Sequence, residues 1–192
     1  MNFKVIFPLS ILLSFNTVAQ KPNLPIDSIT KKITYTQVVY VDSSLNSQEL
    51  FSIGKEWFAK SFNSSNDVIQ MADKESGKIV GKGTMQVYCK SIGSHRKCGF
   101  VNFTISIYLK NARYKYEITN FIHTGQTISR DNVIPDYGPC EYWINDKREY
   151  PLMSQNGVQK ISNYFLKQLD DDIKALTDDL KKVMSNTKKE NW

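Results

Sequence analysis

Residues 99–121 read GFVNFTISIYLKNARYKYEITNF, and this stretch decides the fold. Val101, Phe103, Ile105, Ile107 and Leu109 alternate with Asn102, Thr104, Ser106 and Tyr108. A side-chain period of two places the first set on one face of a strand and the second set on the other. Asn111-Ala112-Arg113 makes a tight turn. The return run then sets Tyr114, Tyr116 and Ile118 on one face and Arg113, Lys115, Glu117 and Thr119 on the other. A hairpin with one apolar and one polar face belongs to an antiparallel sheet covered on one side only.

Toward the N-terminus, residues 78–89 predict another strand, and Gly81 and Gly83 inside it predict close approach by a neighbour such as an aromatic ring. Gly81-Lys82-Gly83 lacks the residue order of a phosphate loop. Glu75 to Lys78 reads as a turn after a short strand over 67–74. Asn46, with Glu49 three residues on, reads as a capping box. Leu50, Ile53, Trp57, Phe58 and Phe62 then recur at helical spacing, with residues 63–66 ending the helix. Residues 31–42 alternate, with Ile33, Tyr35, Val39 and Val41 on one face of a strand, and residues 20–30 read as an extended lead-in.

Toward the C-terminus, residues 125–157 keep no period and read as a long loop. Tyr137, Tyr142, Trp143 and Tyr150 make it too aromatic for disorder, so it is expected to pack on the body. Val158, Ile161, Phe165, Leu169, Ile173, Leu176, Leu180 and Val183 step by three or four along a helix over 158–184. The predicted order is β-α-β-β-β-β-α: an α+β, two-layer domain over 31–186, with a five-stranded antiparallel sheet and two helices on one face. Residues 187–192 read as a frayed tail.

The chain has 192 residues, 41% hydrophobic, 12% aromatic and 23% charged, as expected of one globular domain. Its net charge of +6 comes from basic residues interleaved with acids, as in Asp178-Asp179 before Lys181-Lys182. That pattern predicts a mixed solvated surface, and no nucleic-acid partner is expected. Residues 1–19 carry Lys4, an apolar run from Val5 to Phe15 and the small-residue site Thr17-Val18-Ala19, the layout of a secretory signal peptide. The run is shorter than the roughly 20 residues a bilayer needs. The mature chain is expected in the periplasm or outside the cell, with no integral membrane segment after cleavage.

Export permits disulfides. Cys89 ends one strand and Cys98 begins the next, so a hairpin between them predicts a bridge across the loop at 90–97. Cys140 is then left over, as a buried thiol, an intermolecular link or a partner of either other cysteine.

Three stretches, KITYTQVVYVD (32–42), ELFSIGKEWFAKSFNSSNDVIQMADKESGKIVGKG (49–83) and VNFTISIYLKNARYKYEITNF (101–121), resemble a family of exported bacterial proteins of unknown function. That family is described as having a fold like a single repeat of the TATA-binding protein. The resemblance implies this fold and this compartment. It carries over no activity, cofactor or catalytic residue.

No nucleophile-base-acid set is recognisable: His95 falls in the predicted hairpin loop and His123 ends a strand. Asp170-Asp171-Asp172 lacks the spacing of a calcium loop and is expected on the exposed side of the last helix. No catalytic residue, metal ligand or cofactor is therefore assigned. The uncovered sheet face offers Lys82, Thr84, Gln86, Tyr88, Asn102, Thr104, Ser106, Tyr108, Lys115 and Thr119. With Tyr137, Tyr142 and Trp143 of the aromatic loop, Tyr88, Asn102, Thr104, Ser106 and Tyr108 form the candidate interaction surface for a protein, peptide or glycan partner. The expected function is an exported, non-enzymatic binding module. The alternative is a carrier holding a small apolar ligand between the sheet and the long C-terminal helix.

Overall fold

The computed structural model describes residues 21–62, 68–91, 94–129, 132–145 and 154–185. The leader at 1–19, the helix stop at 63–66 and the tail at 187–192 lie outside the described residues.

The first strand, β1 (Tyr35–Tyr40), leads into α1 (Ser47–Ser61). Asn46 Oδ1 accepts from the N–H groups of Gln48 and Glu49, both at 2.9 Å, and Glu49 Oε2 accepts from Asn46 N–H at 3.0 Å. This is the expected capping box, satisfying donors that the first turn cannot pair. The strands β2 (Ile69–Asp73), β3 (Lys78–Ser91), β4 (Ser94–Lys110) and β5 (Arg113–Thr124) follow, and α2 (Gln155–Ser185) closes the fold. The path across the antiparallel sheet is β1-β5-β4-β3-β2. Helix α1 packs on β3 and β4, and α2 packs on β3 and on α1, so both cover one face. Val101, Phe103, Ile105, Ile107 and Leu109 are all buried under them, as their alternation requires. The result is the expected two-layer α+β domain.

Residues 125–157 depart from the expected loop. They hold the hairpin β6 (Gln126–Ser129) and β7 (Asn132–Ile134), the strand β8 (Gly138–Pro139) and a 3-10 helix at Cys140–Trp143. Strand β8 pairs with β5 opposite Ile122 and His123, giving the sheet six strands rather than five. Strands of two to four residues are too short for a period to show in sequence. The loop expected at 90–97 is also shorter, because β3 and β4 stay paired out to Ser91 and Ser94.

A bulge in β5 changes what the sheet presents. Thr104 faces Thr119, yet Asn102 faces Ile122, so β5 carries one residue more than β4 across this step. Asn120 sits there at φ 59°. Before the bulge, Tyr114, Tyr116 and Ile118 are buried; after it, Phe121 and His123 are buried and Ile122 is exposed.

Gly81 and Gly83 do meet rings. A Cβ on Gly81 would stand 2.5 Å from the Phe58 ring, and one on Gly83 would collide with Phe103. Gly81→Ala is expected to lower stability by about 1–3 kcal/mol through overpacking. In a Phe58→Leu background the same change should cost less than half as much, since the obstructing ring edge is gone. Urea unfolding of the four-member cycle checks this; additive costs would place the clash elsewhere.

Candidate functional site

The uncovered face is ordered by strand register. Lys78, Tyr108, Lys115 and Val38 form one cross-strand row. Val80, Ser106, Glu117 and Thr36 form the next, followed by Lys82, Thr104 and Thr119. Thr84 and Asn102 continue the series beside Ile122. Lys78 Nζ stands 5.2 Å and Lys115 Nζ 5.5 Å from the centroid of the Tyr108 ring. The ring's negative face attracts both cations. Lys115 also pairs with Glu117 at 3.3 Å. Short polar groups link along the face: Thr84 Oγ1 donates to Asn102 Oδ1 at 2.7 Å, and Asn102 Nδ2 donates to Thr124 Oγ1 at 3.2 Å. The surface is thus polar, hydroxyl-rich and basic at the Tyr108 end, with Val38 and Tyr40 exposed beside it.

Of the expected surface residues, Asn102, Thr104, Ser106 and Tyr108 come together here. Tyr88 lies past a register shift in β3, where its N–H donates to Gln168 Oε1 of α2 at 3.2 Å. Tyr142 is exposed on the 3-10 helix. Trp143 corrects the expectation: it is 4% exposed and stacks on Phe165 of α2 at 4.2 Å, so it is core rather than surface. Tyr137 packs edge-on to Trp143 at 5.1 Å and against His123 at 4.9 Å. The aromatic loop therefore packs on the body, as expected, but its rings do not extend the open face.

His123 is buried at the centre of this cluster. Tyr137 N–H donates to Nδ1 at 3.3 Å, and Nε2 lies 2.7 Å from Cys98 O. An acceptor Nδ1 requires the proton on Nε2, so the ring is a neutral imidazole donating to Cys98 O. The strand parity of the sequence hides this position, because the bulge at Asn120 turns His123 inward.

Cys89 and Cys98 form the expected disulfide, with Cα atoms 5.5 Å apart. Cys140 is a free, buried thiol. Burial, then the nearby Glu141 charge, push its ionisation well above the ordinary thiol range, which makes it a poor nucleophile. Asp170 is a second correction. It is 7% exposed rather than solvated, accepting from Tyr35 Oη at 2.9 Å and from Lys174 Nζ at 2.6 Å. Burial and then that carboxylate hold the Tyr35 phenol well above its usual range. The sequence shows three adjacent aspartates but not the distant tyrosine that draws one of them inward. Among the described residues no three His, Cys, Asp or Glu side chains gather as a metal would need, and no helix there is long and apolar enough to cross a membrane.

Comparison with known proteins places these features in a wider group. Residues 35–124 match the family described as "Domain of unknown function (DUF4468) with TBP-like fold". The crystal structure of a DUF4468 family protein from Bacteroides ovatus ATCC 8483 superposes with a TM-score of 0.59 at 18% identity, covering 90% of this chain and 94% of that one. A TBP-like protein from Parabacteroides distasonis ATCC 8503 superposes with a TM-score of 0.51 at 16% identity, covering 80% of this chain and 96% of that one. Likeness at such identities speaks for the fold alone. None of the curated proteins matches the chain.

Proposed function

Residues 35–124 belong to the DUF4468 family of TBP-like domains, whose function is unknown, and from that premise we propose that the chain is an exported, non-enzymatic binding module. Its contact is the open sheet face around Tyr108. The observation that carries this reading is the row Lys78-Tyr108-Lys115-Val38: an aromatic ring set between two cations on a face no helix covers. Such a row suits a protein, peptide or glycan partner. Export is supported by the apolar leader with its small-residue site and by the Cys89–Cys98 disulfide. The carrier reading has less support, since Trp57, Phe58 and Phe62 pack ring to ring and Phe165 stacks on Trp143.

Native mass spectrometry of the mature chain, recovered from the exported fraction of its own cell, tests the reading. The expected spectrum holds a complex with a polypeptide or glycan, weakened roughly tenfold by the pair Tyr108→Ser and Lys115→Ser at unchanged melting temperature. Turnover of a substrate in a broad hydrolase screen, a co-purifying lipid, or recovery in the cytosolic fraction would overturn it.

A further inference from the structure

Strand β1 has two kinds of backbone group. Val41 N–H donates to Ala112 O at 3.0 Å, continuing the register in which Val39 faces Tyr114, Gln37 faces Tyr116 and Tyr35 faces Ile118. Bonded and non-bonded pairs alternate along an antiparallel ladder. The odd-numbered residues therefore turn their N–H and C=O groups to β5. Thr36, Val38 and Tyr40 turn theirs outward, to the free edge of the sheet.

The segment preceding β1 follows the same parity. Thr34 N–H donates to Pro25 O and Asp27 N–H donates to Lys32 O, both at 2.9 Å. Residues 25–27 thus lie on this same edge, as the start of an additional strand, with Ile26 bridging Ile33. Upstream of Pro25 the chain leaves the edge, and Leu24 turns into the core. The track beside Thr36, Val38 and Tyr40 stays open, and among the described residues no strand pairs there. Where the track meets Pro25, a cavity of about 480 Å³ opens, lined in part by Ile26, Thr34, Tyr35, Thr36 and Tyr116.

The two edges of the sheet differ. Strand β2 is short, ends in Asp73 and carries a register shift between Ile69 and Met71, features that discourage pairing. Strand β1 runs YTQVVY with no charge, no proline and no shift, and Val38 and Tyr40 are exposed on it. A bare edge of this kind is a liability unless it is used.

We propose that the free edge of β1 is a strand-addition site for an extended polypeptide segment. A row of alternating N–H and C=O groups is matched by another extended backbone and by no glycan or lipid. The incoming chain runs antiparallel to β1, along the line that residues 25–27 begin, and its C-terminal end abuts Pro25. It places one apolar side chain in the cavity. Uncharged residues lie opposite Thr36 and Val38, and an acidic residue suits the Tyr40 end, where Arg113 stands on the adjoining strand. The inference rests on the binding-module reading and moves the contact from the sheet face to the sheet edge.

Selection of a phage-displayed random peptide library on the full mature chain tests it, followed by residue-resolved amide exchange with a synthetic peptide of the selected consensus. The selected sequences should alternate β-branched or aromatic residues without internal proline. The peptide should slow exchange at Thr36, Val38 and Tyr40 and leave Gln37 and Val39, already bonded to β5, unchanged. Val38→Pro removes an outward N–H without touching the β5 ladder and should weaken binding roughly tenfold. If that variant unfolds, the exchange pattern of the native chain decides alone. No enrichment, or equal binding to folded Val38→Pro, overturns the inference. Peptides that bind but protect only the Tyr108 face sink the edge site and leave the binding module standing. Protection of the outward amides that grows with protein concentration, without peptide, means a second copy closes the edge, and the inference falls.

Discussion

Replacing Trp57 by alanine is expected to lower the unfolding free energy by about 3–5 kcal/mol, the usual range for removing a buried Trp or Phe side chain. Trp57 is 1% exposed and meets Phe58 at 5.1 Å and Phe62 at 5.9 Å, both edge-on. Its Nε1–H donates to Asp179 Oδ2 at 2.9 Å, tying α1 to α2. The substitution thus opens a cavity under both helices and leaves a carboxylate without that donor. Trp57→Phe separates the two contributions: it keeps most of the ring and loses the hydrogen bond, and should cost about 1–2 kcal/mol. Guanidinium titration of both variants reads the difference. A loss below about 1 kcal/mol for Trp57→Ala would mean that the helices do not depend on each other through this residue.

Much of this architecture is legible in the sequence because it is set by local period. The stripe Leu50, Trp57, Phe58 and the alternation from Val101 to Leu109 each state which face is buried, and both are buried. Asn46 and Glu49 state where α1 begins. Gly81 and Gly83 announce the rings that lie over them. What is not legible depends on contacts between distant segments. The bulge at Asn120 reverses the parity of β5, so His123 is buried and Ile122 exposed, against a straight reading of the strand. Asp170 resembles its two neighbours until Tyr35, from the first strand, supplies a donor. Trp143 has no periodic companions, and only α2, supplying Phe165, makes it core. The surface around Tyr108 was visible as one face of a hairpin, yet Lys78 and Val38 join it through cross-strand register alone.

His123→Phe is expected to cost about 2–5 kcal/mol, although it keeps a planar ring of similar size at the same place. The imidazole fastens the loop to the sheet: Cys98 O loses its donor and Tyr137 N–H loses its acceptor when the ring nitrogens go. Each buried backbone group left without a partner costs about 1–3 kcal/mol, and two are left together. The aromatic contacts with Tyr137, Trp143 and Phe165 can persist in the variant, so the loss measures the polar clasp rather than packing. The damage should also be local. Amide exchange should quicken at Tyr137 and in β8, which pairs with β5 at His123, before it quickens in the central ladder of β3 and β4. Urea unfolding with residue-resolved exchange checks both parts. A loss within about 0.5 kcal/mol, or uniform acceleration across the sheet, would remove the clasp as the reason a histidine stands here. The same two bonds explain why this histidine need not be catalytic: both of its nitrogens are committed to backbone groups that hold the fold, leaving neither to accept or deliver a proton in a reaction.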